Sequence, residues 1–107
     1  MSVTHLTASE LKSRLTQGEN LFLLDVREPQ EYAYANIAGS MLIPLQQIPS
    51  RLGELDPERH IVVICHHGVR SMQAAVYLAH AGFSRVANLV GGIDAWSQTC
   101  DGSVPRY

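Results

Sequence analysis

The chain has 107 residues, 46% of them hydrophobic, with a formal net charge of −2. That is enough for one domain with a real core, spanning residues 1–107. No basic run interleaves with aromatics, which argues against nucleic acid. No apolar stretch is long enough for a bilayer, and the start "MSVTHLTASELKSRL" lacks a signal-peptide layout. The expected address is the cytoplasm, where thiols stay reduced.

Strand-like runs alternate with helical patterns. Val3-Thr4-His5 is the first strand. Thr7 and Glu10 have the spacing of a capping box, which predicts a helix over "ASELKSRLTQ" that Gly18 stops. Leu21 to Val26 is an apolar run of strand length. Pro29 suits the first turn of a helix over "EPQEYAYA". "MLIP" is a short third strand closed by Pro44, and "LQQIPSRLGEL" a helix broken by Pro49. His60 to Ile64, rich in β-branched residues, is the fourth strand. A helix follows over Ser71 to Ala81, stopped by Gly82. "RVANLVG" is the fifth strand and "GGIDAWSQ" a final short helix. The alternation predicts an α/β fold, a five-stranded, mainly parallel sheet with helices on both faces. The continuous apolar runs "LFLL" and "IVVI" suit strands buried on both sides. Ligands of such sheets bind beyond the carboxyl ends of the strands. Asp25 to Arg27, Cys65 to His67 and Gly91-Gly92 therefore fall on one edge.

Cys65 ends the fourth strand and is followed by "HHGVRS". A buried core thiol would not need a polar loop leading into a helix. The unpaired amides and the dipole of that helix would stabilise a thiolate and lower the cysteine's pKa. Gly68 allows the loop to turn tightly. Arg70 is a cation near a helix N-terminus, an unfavourable place that a nearby anion would offset. His66 and His67 are adjacent and chelate poorly, and no second Cys/His pair has zinc spacing, so no metal is expected. They tune the field around the sulfur, contact substrate, or are simply exposed. Asp25 reads as a turn or capping residue that orients Arg27, Arg70 or the loop amides. Arg27 adds positive potential at the mouth, or pairs with Glu28 or Glu31. Gly91-Gly92 permits a sharp turn beside the pocket, and Trp96 is core. Tyr32, Tyr34 and Tyr77 receive no role. Cys100 lies in a polar tail, where it is incidental or a resolving thiol for Cys65.

These residues resemble the rhodanese-like sulfurtransferase family. "LLDVREPQEYAYANIAGSMLIPL" is similar to its first signature, an Asp-Val-Arg strand end, a Glu-Tyr helix and an Ile-x-Gly-Ala-x-x-Ile-Pro segment. "CHHGVRS" resembles its Cys-x-x-Gly-x-Arg-Ser loop, "LVGGIDAW" its Gly-Gly-x-x-x-Trp motif, and "VPRY" an ending of bacterial members. Ser40 replaces the usual Ala, Ala35-Asn36 stand where Gly-His is common, and His66-His67 depart from the usual loop. The resemblance implies a rhodanese-like three-layer fold and a Cys65 that carries sulfur as a persulfide, cradled by amides from His66, His67, Gly68, Val69, Arg70 and Ser71. It implies no cofactor. Its partners would be a small anionic sulfur donor such as thiosulfate and a thiol or protein acceptor, with cyanide serving in vitro. Two alternatives stand beside this. One is a persulfide carrier or regulatory binding module with little thiosulfate turnover. The other is a cysteine phosphatase or arsenate reductase, disfavoured by the four residues between Cys65 and Arg70 where phosphatases have five.

Overall fold

The computed structural model describes residues 3–107. Five strands form one sheet: β1 (Val3–Leu6), β2 (Phe22–Asp25), β3 (Met41–Leu42), β4 (Ile61–Ile64) and β5 (Val86–Leu89). Their order is β1-β5-β4-β2-β3, and each neighbouring pair runs parallel. The sheet is thus parallel throughout its described pairs. β4 sits at its centre, and all four of its residues are buried. Side chains alternate across a strand, so a central strand with both faces covered must be apolar at every position. Ile61 to Ile64 meets that requirement.

Five helices cover the faces: α1 (Ala8–Thr16), α2 (Pro29–Tyr34), α3 (Ile48–Arg51), α4 (Val69–His80) and α5 (Gly92–Thr99). One core layer joins Leu11, Leu23, Val62, Ile64, Leu89 and Trp96; the other joins Leu24, Ile48, Val63, Leu78 and Phe83. Each fully buried side chain of this size contributes about 1.5–3 kcal/mol of transfer free energy. Trp96 is core, as expected. Thr7 caps α1 with a complete capping box: Glu10 N–H donates to Thr7 Oγ1 at 3.1 Å, and Thr7 N–H to Glu10 Oε1 at 2.8 Å. Pro49 lies in the first turn of α3, with a 3₁₀ turn on each side, which is the expected break. Ser40 and Asn36, two departures from the family pattern, make local bonds. Ser40 Oγ donates to the Ile37 carbonyl at 2.6 Å, and Asn36 Nδ2 to the Tyr32 carbonyl at 3.0 Å.

One boundary differs in a way that matters. α4 begins at Val69, two residues before the expected start, with Gly68 as its cap. Gly68 has φ +108°, a left-handed conformation that other residues adopt only with strain. It compresses the strand-to-helix turn, so Arg70 belongs to the first turn of the helix rather than to the loop.

Candidate active site

The carboxyl ends of β2, β4 and β5 supply the site. Cys65 follows β4 and is 1% exposed. Gly68 N–H points back along the turn and donates to Cys65 Sγ at 3.0 Å. The thiol lies 3.3 Å from Ser71 Oγ, to which it donates. Ser71 in turn donates to Asn88 Oδ1, and Asn88 Nδ2 donates to the Gly68 carbonyl at 3.3 Å. Asn88 therefore holds both ends of the group that touches the sulfur. Of the amides from His66 to Ser71, that of Gly68 is the one within hydrogen-bonding reach of the thiol. The first bond inside α4 runs from Met72 N–H to the Gly68 carbonyl at 3.3 Å, so the amides of Val69, Arg70 and Ser71 have no partner within the helix.

The second support is α5. Gly91 and Gly92 both have positive φ, +77° and +61°. Ile93 N–H then donates to the Cys65 carbonyl at 2.8 Å, and Asp94 N–H to the His66 carbonyl at 3.2 Å. The turn expected at Gly91-Gly92 thus brings a helix N-terminus onto the backbone of the loop.

Arg70 does have an anion, supplied from within the chain. Arg70 Nη1 and Nη2 donate to Glu31 Oε1 and Oε2 at 2.6 and 2.9 Å, a bidentate pair. The Glu31 carboxyl, hydrogen-bonded by Arg70, falls from its ordinary 4.5 to about 2, and Arg70's pKa is raised by the same contact. Attraction to Cys65 raises the Arg70 pKa too, after the contribution of Glu31.

Asp25 orients Arg27, one of the roles expected of it, while Arg27 itself lies elsewhere than expected. Both are fully buried, so Arg27 puts no charge at the mouth. Asp25 touches Arg27 and neither Arg70 nor the loop amides: Arg27 Nη2 donates to Asp25 Oδ2 at 2.7 Å, and the Arg27 amide and Nε to Oδ1 at 3.1 and 2.9 Å. Arg27 also donates to the backbone carbonyls of Ala35 and Glu31, rather than to the Glu28 or Glu31 carboxylates. A buried ion pair is tolerated when its remaining donors are satisfied in this way. The pair braces the β2 end of the site without reaching the sulfur.

His66 lies between two rings. Its centroid is 3.9 Å from that of His67 and 3.8 Å from that of Tyr107, with the Tyr107 plane tilted by 5°. Burial, then the charge of His67, hold its pKa below the ordinary imidazole value. Neither histidine is among the hydrogen-bond partners of Cys65. Cys100 caps α5 and packs against the core layer opposite to that of Cys65, and both thiols are free.

Glu31, Asn88 and Tyr107 were not singled out as site residues. Asn88 had a signal, a polar residue inside the apolar run "VANLV". Glu31 had two, as a possible partner of Arg27 and as the acid of the Glu-Tyr helix in the first signature. Tyr107 had one, the last position of the "VPRY" ending.

A thiol at the carboxyl end of a central parallel strand, held by the turn and first turn of the following helix, defines a buried thiol site on an α/β sheet. The Rhodanese-like domain family profile matches residues 7–99, and the chain belongs to that family. It is 38% identical over 96 residues to a sulfurtransferase of Allochromatium vinosum, covering 90% of each chain. It is 31% identical over 97 residues to the thiosulfate sulfurtransferase GlpE of Shewanella oneidensis, covering 91% of this chain and 95% of that one. A rhodanese-like domain protein of Staphylococcus aureus superposes with a TM-score of 0.85 at 30% identity, covering 98% of this chain and 99% of the other. No helix among the described residues is long and apolar enough to cross a membrane.

Proposed function

We propose that the protein is a sulfurtransferase in which Cys65 carries sulfane sulfur as a persulfide, with thiosulfate as a usable donor. The observation that carries this is the Gly68 N–H, 3.0 Å from a Cys65 sulfur that is otherwise buried. A donor amide fixed on a sulfur stabilises negative charge there without reorganisation. The similarity to sulfurtransferases, one of them named for thiosulfate, supports the choice of group transferred.

In the first half-reaction the Cys65 thiolate attacks the outer sulfur of thiosulfate. A new S–S bond forms, the sulfur–sulfur bond of the donor breaks, and sulfite leaves with the electron pair. The thiol proton goes to solvent before attack. Ser71 then rotates to donate to the sulfur, since a thiolate no longer offers it a proton. In the second half-reaction a cellular thiolate, or cyanide in vitro, attacks the terminal sulfur and Cys65 leaves as thiolate. Splitting the transfer into two displacements is the gain of covalent catalysis.

Intact-protein mass spectrometry after exposure to thiosulfate tests this. The Cys65 peptide should gain one sulfur atom and lose it on addition of cyanide. A mass that never changes, or sulfur found only on Cys100, would overturn the reading.

A further inference from the structure

Tyr107 is remote in sequence from every other group at the site, yet it touches three of them. Its hydroxyl accepts from Arg27 Nη1 at 2.6 Å and donates to Glu31 Oε2 at 3.0 Å. Its ring stacks on His66 with centroids 3.8 Å apart, and the Tyr34 ring meets it edge-on at 5.9 Å. The residue is 43% exposed, so these contacts are not a by-product of core burial.

We propose that Tyr107 is a positioning residue for sulfur transfer, whose hydroxyl keeps Glu31 directed at Arg70 and whose ring holds His66 against the loop. This deepens the reading of Cys65 given above and rests on it.

The argument is one of competition. Glu31 accepts from Arg70 Nη1 and Nη2, from Tyr107 and from the Glu28 amide. Arg27 directs Nε and Nη2 at Asp25 and the Ala35 carbonyl, and Nη1 at Tyr107 and, more loosely at 3.3 Å, the Glu31 carbonyl. The phenol oxygen stands between a buried cation and a carboxylate that serves another cation. It accepts from the first and donates to the second, which no apolar group can do. Without that oxygen, Arg27 Nη1 loses its shortest acceptor in a buried site. A buried charged donor left unpaired is costly, and Glu31 Oε2, the other partner of the Tyr107 hydroxyl, is the anion to which that oxygen linked it. A carboxylate drawn toward Arg27 loosens its hold on Arg70 Nη2. Arg70, in the first turn of the helix that follows Cys65, then loses the fixed direction that its two bonds to Glu31 give it.

The test compares wild type with Tyr107→Phe, Tyr107→Ala and Glu31→Gln. Steady-state sulfur transfer from thiosulfate to cyanide, thermal midpoints and NMR of the Arg70 Nε–H and His66 ring protons are measured. For Tyr107→Phe, the KM for thiosulfate should rise roughly 3- to 10-fold with kcat within about twofold, the loss of one hydrogen bond's positioning. The Arg70 Nε–H signal should broaden in Tyr107→Phe and in Glu31→Gln. The His66 ring protons, shielded by the stacked phenol, should shift in Tyr107→Ala and stay in place in Tyr107→Phe. A KM unchanged in Tyr107→Phe, or a fall in thermal midpoint with no change in KM or in the Arg70 signal, would overturn the proposal. If wild type transfers no sulfur from thiosulfate, the reading of Cys65 fails, and the Arg70 signal alone decides Tyr107: an unaltered line in Tyr107→Phe refutes it.

Discussion

Gly92 lies so close to the Cys65 carbonyl that a β-carbon at this position would overlap it, and the His66 carbonyl as well. The contact lets α5 deliver its Ile93 and Asp94 amides to the loop that carries the thiol. Gly92→Ala should therefore cost about 2–5 kcal/mol, from a strained positive φ and from displaced backbone. Urea denaturation measures it. A loss below about 1 kcal/mol would mean that the loop yields easily and that α5 does not brace it.

Asn88 is the only side chain bridging Ser71 and the Gly68 carbonyl among the described residues. Asn88→Ala should lower the rate of persulfide formation by about tenfold, with a stability loss of roughly 1–3 kcal/mol for the partners left unpaired. Asn88→Asp should not rescue the rate. Its carboxylate still accepts from Ser71 but offers no donor to the Gly68 carbonyl, and it adds a negative charge near the sulfur. Stopped-flow loading with thiosulfate checks both variants, and full activity in Asn88→Asp would remove this role.

Arg70→Lys keeps the charge and loses the planar fork that meets both oxygens of Glu31. The KM for thiosulfate should rise in Arg70→Lys nearly as much as in Arg70→Ala, by about tenfold. Stability should change by no more than about 1 kcal/mol, since the pair is partly solvent-exposed. Full rescue by lysine would show that charge alone matters.

Acid should destabilise the protein, and two groups at the site contribute to this. Glu31 falls from 4.5 to about 2 on folding, and His66 lies below its ordinary 6.5. In both cases the unfolded chain binds more protons than the folded one, so stability falls as pH falls. The His66 contribution is lost first, as pH drops below 6.5. The Glu31 contribution is complete above 4.5 and disappears as pH approaches about 2. Urea midpoints should fall less steeply below 4.5 in Glu31→Gln than in wild type, the remaining slope coming from Glu19, Glu54, Asp94 and Asp101, whose pKa values are also lowered, and an unchanged slope would contradict the assignment.

Cys65→Ser should abolish sulfur transfer with the fold intact, while Cys100→Ser should be nearly neutral. Thiocyanate production and circular dichroism separate the two. Comparable losses in both variants would restore Cys100 to the chemistry.

Much of this molecule follows from local pattern. Apolar runs of strand length, a capping box at Thr7 and Glu10, and glycines where helices stop are short-range signals. They place Cys65 at the end of a buried strand before any tertiary contact is known. The glycine three residues after it provides the turn that returns an amide to the sulfur. The partners of the charged groups are another matter. Arg27 belongs with Asp25, two residues away, but its burial depends on the packing of the whole β2 edge. Arg70 meets Glu31 across 39 positions, and Tyr107 reaches Glu31 across 76. A cation's partner is whichever anion the fold brings within a few ångströms, because Coulomb attraction acts through space and carries no memory of the chain. The sequence alone therefore determined where the Cys65 thiol stands, while the tertiary structure decided which charges surround it.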